Sequence, residues 1–148
     1  MPNWAQGSMR VRGEYEQVEK FLKEGIEYNK QYDLYYIKGT TRGFIECKIY
    51  DMEYYFTCFE KYNNEGNVTL PFDVRFAWDC NATQIQLISK AYNVDVKLRL
   101  FEKGGKFSRK ITVVNGEIKK DIEIKYDDYN WDCPFPLLGG WFIQYNKK

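Results

Sequence analysis

The residue types that most often carry out chemistry are scarce or isolated in this sequence. Histidine, the commonest general base, is absent. A zinc site would need four thiolates to converge from separate segments, because the cysteines form no CxxC pair and have no regular spacing. They are Cys47, Cys58, Cys80 and Cys133. We therefore predict free thiols in a reducing compartment, with no metal site and no cofactor.

Acidic pairs and glycine pairs give no stronger indication of catalysis. Asp51 with Glu53 and Asp127 with Asp128 lie in segments of turn-like composition, where solvated carboxylates are commoner than metal ligands. Gly104-Gly105 separates two alternating segments, which favours a hairpin turn over a phosphate-binding loop. The sequence contains neither a G-x-S-x-G motif nor a Walker-type motif. Because catalysis needs a nucleophile or an acid–base pair, we predict that the protein is not an enzyme.

Charge is balanced over the whole chain but is distributed unevenly along it. The 22 Lys+Arg and 21 Asp+Glu give a net charge of +1, which argues against a general nucleic-acid coat and against a DNA mimic. Five acids against two lysines leave a net of −3 over 13–28 and again over 44–65, whereas nine bases against five acids leave +4 over 94–126. Aromatic residues are 18% of the chain, so some are expected at the surface, where they favour contact with partners.

The elements that would position these residues begin with a strand and a helix. In residues 8–12, Met9 and Val11 share one face, which predicts a short strand. Apolar residues at helical spacing over 14–26 then predict a helix that ends near Gly25.

A strand and a helix are predicted again in the second half. Alternation over 70–79 predicts a half-buried strand. Asn81 and Gln84 have the spacing of a capping box and predict the start of a helix. Residues 94–126 then predict three strands, and Asn115-Gly116 favours a type I′ turn between the last two.

The segment between these halves is rich in aromatic and β-branched residues and is interrupted by turn residues. Three short antiparallel strands are predicted, over 32–39, 44–50 and 53–62. We interpret this segment as a β-meander inserted into a simpler fold.

The predicted fold class is α+β, and the predicted architecture is a ferredoxin-like domain with two helices on one face of an antiparallel sheet. Residues 1–148 form a single domain in this interpretation. Its core covers about 1–28 and 70–126, the inserted β-meander about 30–65, and an irregular C-terminal tail 127–148. The second face of the sheet either stays open to solvent or is covered by the meander and the tail.

Several short motifs resemble a known family. The opening MPNW, the strand ending in RVRG and the helix EQVEKFL resemble small phage- and plasmid-borne proteins with a ferredoxin-like domain of the YubB type. The run from FDVRFAWD through DVKLRLFE to VVNGEI is similar to the second half of that family. The likeness covers about 1–27 and 72–120, and it departs from the family pattern at Ala5, at Gly7, in 79–81 and in 103–105.

This resemblance implies a mobile-element setting and no catalytic residues, because the function of the family is unknown. Trp4 is expected to anchor the end of the chain against the sheet. The lack of an apolar run of ~18 residues, and of a signal-peptide h-region, leads us to expect no membrane association and a location in the cytoplasm of a bacterial host. The oligomeric state is not predicted.

The first functional hypothesis is a non-enzymatic binding protein, encoded by a phage or mobile element, that inhibits a host defence complex. Like an anti-CRISPR protein, it would occlude a basic functional surface of a host defence protein or ribonucleoprotein effector. Tyrosines supply rigid contact area and carboxylates complement basic partners, although half of these tyrosines could instead fill a second small core. The predicted contact residues are Tyr35, Tyr36, Tyr50, Asp51, Glu53, Tyr54, Tyr55 and Glu60.

The alternative hypothesis is a module that binds single-stranded RNA or DNA on an open, basic sheet face, as RNA-recognition domains do. The RNP motifs are absent, and only Phe101 and Phe107 offer stacking planes, so a solvated basic face is the simpler interpretation. The residues involved would be Lys97, Arg99, Phe101, Lys106, Arg109 and Lys110. A sponge for a small signalling nucleotide is a further alternative to which no particular residue points.

Overall fold

The computed structural model describes residues 3–46, 57 and 66–134. Eight strands form one antiparallel sheet: β1 (Trp4–Glu14), β2 (Ile26–Asn29), β3 (Leu34–Ile37), β4 (Gly43–Ile45), β5 (Asn67–Ala77), β6 (Asp95–Glu102), β7 (Phe107–Val114) and β8 (Glu117–Lys125). Within the described ranges 3–46 and 66–134, three helices accompany it: α1 (Tyr15–Glu24), α2 (Ala82–Tyr92) and the short α3 (Tyr129–Asp132). The spatial order of the strands is β2-β3-β4-β5-β1-β6-β7-β8.

Strand β1 lies at the centre of the sheet. It pairs antiparallel with β5 along its whole length and with β6 on its other side, so that Met9 lies opposite both Phe72 and Leu98. Because β5 and β6 are each antiparallel to β1, they are parallel to one another, and α2 connects them. Residues far apart in sequence therefore form the middle of the sheet.

The main core lies between the sheet and the two longer helices, α1 and α2. Alternate residues of β1, β5 and β6 are buried against α1 and α2, as the period-two patterns predicted. The helices contribute apolar stripes that include Phe21 and Ile85, and the rings of Phe21 and Tyr92 meet edge-on at 5.6 Å. We call this side the helix face and the opposite side the open face.

Helix α2 begins as predicted, but its second polar residue has another role. The Asn81 side chain accepts a hydrogen bond of 2.8 Å from the Thr83 amide and so caps the helix. Gln84 does not complete a capping box. Its side chain accepts from the Thr41 amide and donates to the Thr41 hydroxyl, which ties the helix to the turn between β3 and β4.

The predicted ferredoxin-like fold is wrong. Strands β2, β3 and β4 are not a separate insert, because β4 pairs directly with β5 and extends one continuous eight-stranded sheet. Strand composition indicates that a segment is extended, but it does not indicate which strand it pairs with. Ile26, predicted as the last apolar residue of the first helix, instead begins strand β2, which pairs with β3.

Parts of the prediction lie outside the described residues. The third predicted meander strand is among them apart from Thr57, which is helical and so contradicts the strand prediction at that position. The chain after residue 134 also lies outside the described residues. Within the ranges that are described, none of the helices combines the length and apolar character that crossing a membrane requires.

Candidate functional site

The open face carries two adjacent rows of basic side chains across the middle of the sheet. In the first row, Arg10 lies opposite Lys97, Lys97 opposite Thr112, and Thr112 opposite Lys120. In the second row, Arg99 lies between Ser8 and Lys110. Directly opposed residues share one face of a sheet, so these cations lie together. With the adjacent Arg12, they define the basic face: Arg10, Arg12, Lys97, Arg99, Lys110 and Lys120.

Most of these charges are not neutralised by neighbouring carboxylates. Arg10, Lys97 and Lys120 are exposed. Among the described residues, Arg12 is the member of the basic face that forms an ion pair, at 2.7 Å from Asp95. Asp73, opposite Ser8, is a second carboxylate on this face and lies at the end of the second row. The basic face therefore has an excess of positive charge that can attract an anion.

A recess of about 300 Å³ opens within the basic face. Arg10, Arg12 and Lys97 line it together with Thr69, Thr112 and Asp95, the carboxylate that pairs with Arg12. Guanidinium, ammonium and hydroxyl groups are all donors that suit phosphate oxygens. The recess can therefore hold a phosphate group between side chains of four strands.

Arg99 is held in place beside this recess. Its guanidinium carbon lies 5.2 Å from the centre of the Phe101 ring, within the range of a cation–π contact. Its Nε is buried and has no hydrogen-bond partner among the described residues. A buried donor without a partner is costly, but because this atom has almost no accessible surface, a ligand in the recess cannot reach it unless the side chain moves.

The predicted nucleic-acid residues divide between the two faces of the sheet. Lys97, Arg99 and Lys110 lie together on the open face, as the hypothesis requires. Phe101 lies on that face too, but it is only 6% exposed and packs against Tyr129 of α3, so it supports Arg99 and offers no stacking plane. Lys106 lies in the turn between β6 and β7 with a φ of 57°.

Arg109 belongs to the helix face. Its guanidinium lies 2.6 Å from Asp79, 3.3 Å from Asp121 and 3.8 Å from Glu123. The hydrogen bond to Asp79 raises the pKa of Arg109 above its already high ordinary value. Successive residues of a strand point to opposite faces, so Arg109 and Lys110 cannot both contribute to one surface.

The predicted partner-binding surface is described only in part. Tyr35 packs against the main core. Tyr36 is half-buried, and its hydroxyl donates to the Thr40 carbonyl at 2.5 Å. The other predicted contact residues lie outside the described residues: Tyr50, Asp51, Glu53, Tyr54, Tyr55 and Glu60. That surface stays a prediction.

The sequence analysis missed three members of the basic face, namely Arg10, Arg12 and Lys120. A signal for two of them was present, because both arginines alternate with Met9 and Val11 in the first predicted strand. The missing information was strand order. Only the pairing of β1 with β6 brings Arg10 next to Lys97.

An aromatic cluster on the same open face was also missed. The Trp4 ring lies 5.9 Å from Tyr32 and 6.1 Å from Phe44, and both pairs meet edge-on. The Arg75 guanidinium carbon is 5.2 Å from the Trp4 ring, and this arginine also pairs with Glu46 at 2.8 Å. The open face therefore combines cations with aromatic rings contributed by β1, by β4 and by the turn after β2.

The described cysteines are buried thiols. Cys80 and Cys133 form no disulfide, and burial raises the pKa of the Cys80 thiol to about 12. No group of three or more possible metal ligands occurs within the residues that the structure describes. Cys47 and Cys58 lie outside them.

Comparison of the chain with protein-family models, with curated proteins and with solved structures found no match.

Proposed function

We propose that this protein binds single-stranded RNA or DNA on the open face of its sheet, and that it acts by binding alone, without catalysis. One observation carries the proposal. Cations from β1, β6, β7 and β8, distant in sequence, form two adjacent rows on the side of the sheet away from α1 and α2. Most of them have no carboxylate partner among the described residues.

The spacing of the first row suits a nucleic-acid backbone. Arg10, Lys97 and Lys120 lie on strands that are neighbours or next neighbours, and three inter-strand steps of ~4.8 Å separate the ends of the row by about 14 Å. A single nucleic-acid strand that crosses the sheet along this row brings successive phosphates near successive cations. The second row, with Arg99 and Lys110, can contact the sugar–phosphate chain from the side.

A single strand fits this face better than a duplex does. Proteins that bind single strands without strong sequence preference combine a basic groove with aromatic rings on which bases stack. Both features occur here, since the half-buried rings of Trp4 and Tyr32 lie on the same face of the sheet as the two basic rows. Readout of a duplex in the major groove uses a helix or a two-stranded ribbon that projects into the groove, and neither α1 nor α2 lies on this face.

The setting of the proposal is a phage or mobile element acting in the bacterial cytoplasm. It is supported by the resemblance of the MPNW, RVRG and VVNGEI segments to proteins with a YubB-type domain. Inhibition of a host defence complex stays a prediction, because most of its contact residues lie outside the described residues. The contacts that are described favour nucleic acid as the partner.

The test is fluorescence anisotropy with labelled oligo(U) and oligo(dT) of about twelve nucleotides. Replacing the first row, as Arg10→Gln, Lys97→Gln and Lys120→Gln together, should weaken binding by about 10-fold or more at low salt. The matched control removes the same charge from the helices, as Lys20→Gln, Lys23→Gln and Lys90→Gln. This control should bind like the unaltered protein.

Two results would reject the proposal. One is no binding of either oligonucleotide at micromolar protein and low salt. The other is an equal loss of affinity in the row variant and in the helix control, since that would reflect net charge and not the open face. If oligonucleotides do not bind, a protein partner becomes the better hypothesis.

A further inference from the structure

A second recess on the open face, of about 510 Å³, lies beyond β5 from the basic face. Tyr36 lies opposite Phe44, and Phe44 opposite Arg75, so the recess belongs to the same side of the sheet. Three aromatic residues and several polar ones line it, including Tyr32, Tyr36, Phe44, Asn29, Gln31 and Arg42.

The walls of this recess are fixed by hydrogen bonds and by packing. The Tyr36 hydroxyl donates to the Thr40 carbonyl, and the Tyr32 hydroxyl accepts from Arg42 at 3.0 Å. Phe44 is 2% exposed and lies beneath both tyrosines, with ring centres 4.9 Å from Tyr32 and 5.9 Å from Tyr36. A site whose side chains are already ordered loses little entropy when a ligand binds.

The turns around the recess are also held in place. The Asn29 side chain accepts from the Tyr32 amide at 3.1 Å. On the opposite side, Thr40 accepts from the Gly43 amide and donates to the Ile37 carbonyl, and Gln84 of α2 holds Thr41. Arg42 adopts a φ of 56° and presents an exposed guanidinium at the rim.

These features select a planar, π-bearing ligand with polar groups on its edge. The half-buried rings of Tyr32 and Tyr36, with Phe44 packed beneath them, offer stacking and edge contacts. The guanidinium and amide groups at the rim can pair with ring nitrogens and exocyclic groups. The volume falls within the range of small-molecule sites and is sufficient for a single nucleobase with its sugar.

We infer that this recess takes one unstacked base of the same strand whose phosphates contact the basic face. This inference rests on the proposed function. It adds a base-binding position at a fixed place, so that one nucleotide contributes more to affinity than its neighbours do. No base identity is selected by the residues at the rim.

The test uses a series of oligonucleotides of about twelve residues that differ only in the position of one abasic site. One position should weaken binding by roughly 10-fold, since base stacking on aromatic side chains is worth about that factor. In the Tyr36→Leu variant, an abasic site at the same position should cause no additional loss of oligonucleotide affinity. Tyr28→Leu, which alters a tyrosine on the opposite face of the β2–β3 hairpin, is the matched control.

Arg42→Asn provides a second variant because Arg42 is exposed and asparagine tolerates a positive φ. This variant should reduce the loss of affinity that the abasic site causes, without lowering the melting temperature of the protein. If every abasic position costs the same, or if the penalty persists in both recess variants, the inference is wrong while binding to the basic face stands. If the oligonucleotides do not bind at all, the inference and the proposed function fail together.

Discussion

At the scale of single residues, Arg109 and Lys110 show how adjacent cations acquire unrelated roles. Lys110 lies opposite Arg99 on the open face, whereas Arg109 is 19% exposed and faces three carboxylates on the helix face. Their separation follows from the two-residue period of a strand. The sequence analysis grouped the two residues because it assigned the basic segment as a unit and did not follow its alternation.

Replacing Arg109 with Met should therefore affect stability and not binding. Asp79, Asp121 and Glu123 would lose their shared partner, and the free energy of unfolding should fall by about 2 kcal/mol. Urea denaturation measures this change. The paired variant Lys110→Met should show the reverse, with weaker oligonucleotide binding and little change in stability. Arg109→Met with full stability and weak binding would contradict the assignment.

The buried thiol of Cys80 makes a pH-dependent contribution to stability. Burial raises its pKa from the ordinary 9.0 to about 12, so the folded protein holds this proton more tightly than the unfolded chain. The stabilisation that the protonated Cys80 thiol contributes is complete below about pH 9 and is lost as the pH rises towards about 12.

We expect the free energy of unfolding to fall by on the order of 1 kcal/mol between about pH 8 and about pH 10 because of this thiol. In Cys80→Ala, urea denaturation should show a smaller decrease over the same interval. Identical decreases in the two proteins would show that Cys80 is not buried as described.

At the scale of elements, short-range sequence patterns predicted individual helices, strand alternation and a turn. The helix after the first strand, the helix after Asn81 and the alternation of β1, β5 and β6 are all present. The type I′ turn is present as well, since Asn115 and Gly116 have φ values of 53° and 74°. The pairing of β4 with β5 was not predictable, because strand composition says nothing about long-range partners.

The close contact of β1 with β6 depends on a glycine. A Cβ at Gly7 would lie 1.8 Å from the carbonyl oxygen of Arg99, which is backbone and cannot rotate away. Gly7→Ala should force the two strands apart and lower the free energy of unfolding by roughly 3 kcal/mol. The neighbouring Ser8→Ala, at an exposed position, should be nearly neutral. Comparable urea midpoints for the two variants would contradict the described register.

At the scale of the whole molecule, the arrangement of charge matters more than its sum. A net charge of +1 argued against a general nucleic-acid coat, and that argument holds for the molecule as a whole. Strand pairing nevertheless brings cations from β1, β6, β7 and β8 together on the open face. Totals over a sequence cannot show such segregation, since it depends on strand order.

The candidate site was predictable to the extent that it lies within one hairpin. Alternation along β6 and β7 is sufficient to place Lys97, Arg99 and Lys110 together. The contributions of Arg10 and of the aromatic cluster depend on the pairing of β1 with β5 and β6. For that reason the sequence suggested the nucleic-acid hypothesis but did not indicate which aromatic residues would lie on that face.

The salt dependence of oligonucleotide binding tests the central claim most directly. For a single strand, log K falls against log salt with a slope of about −0.7 per phosphate neutralised, so the five cations of the basic face other than Arg12, which pairs with Asp95, predict a slope of about −3.5. The variant lacking Arg10, Lys97 and Lys120 should give about −1.4, while the control lacking Lys20, Lys23 and Lys90 should keep the full slope. A slope near zero, or one that the row variant leaves unchanged, would contradict binding on the open face.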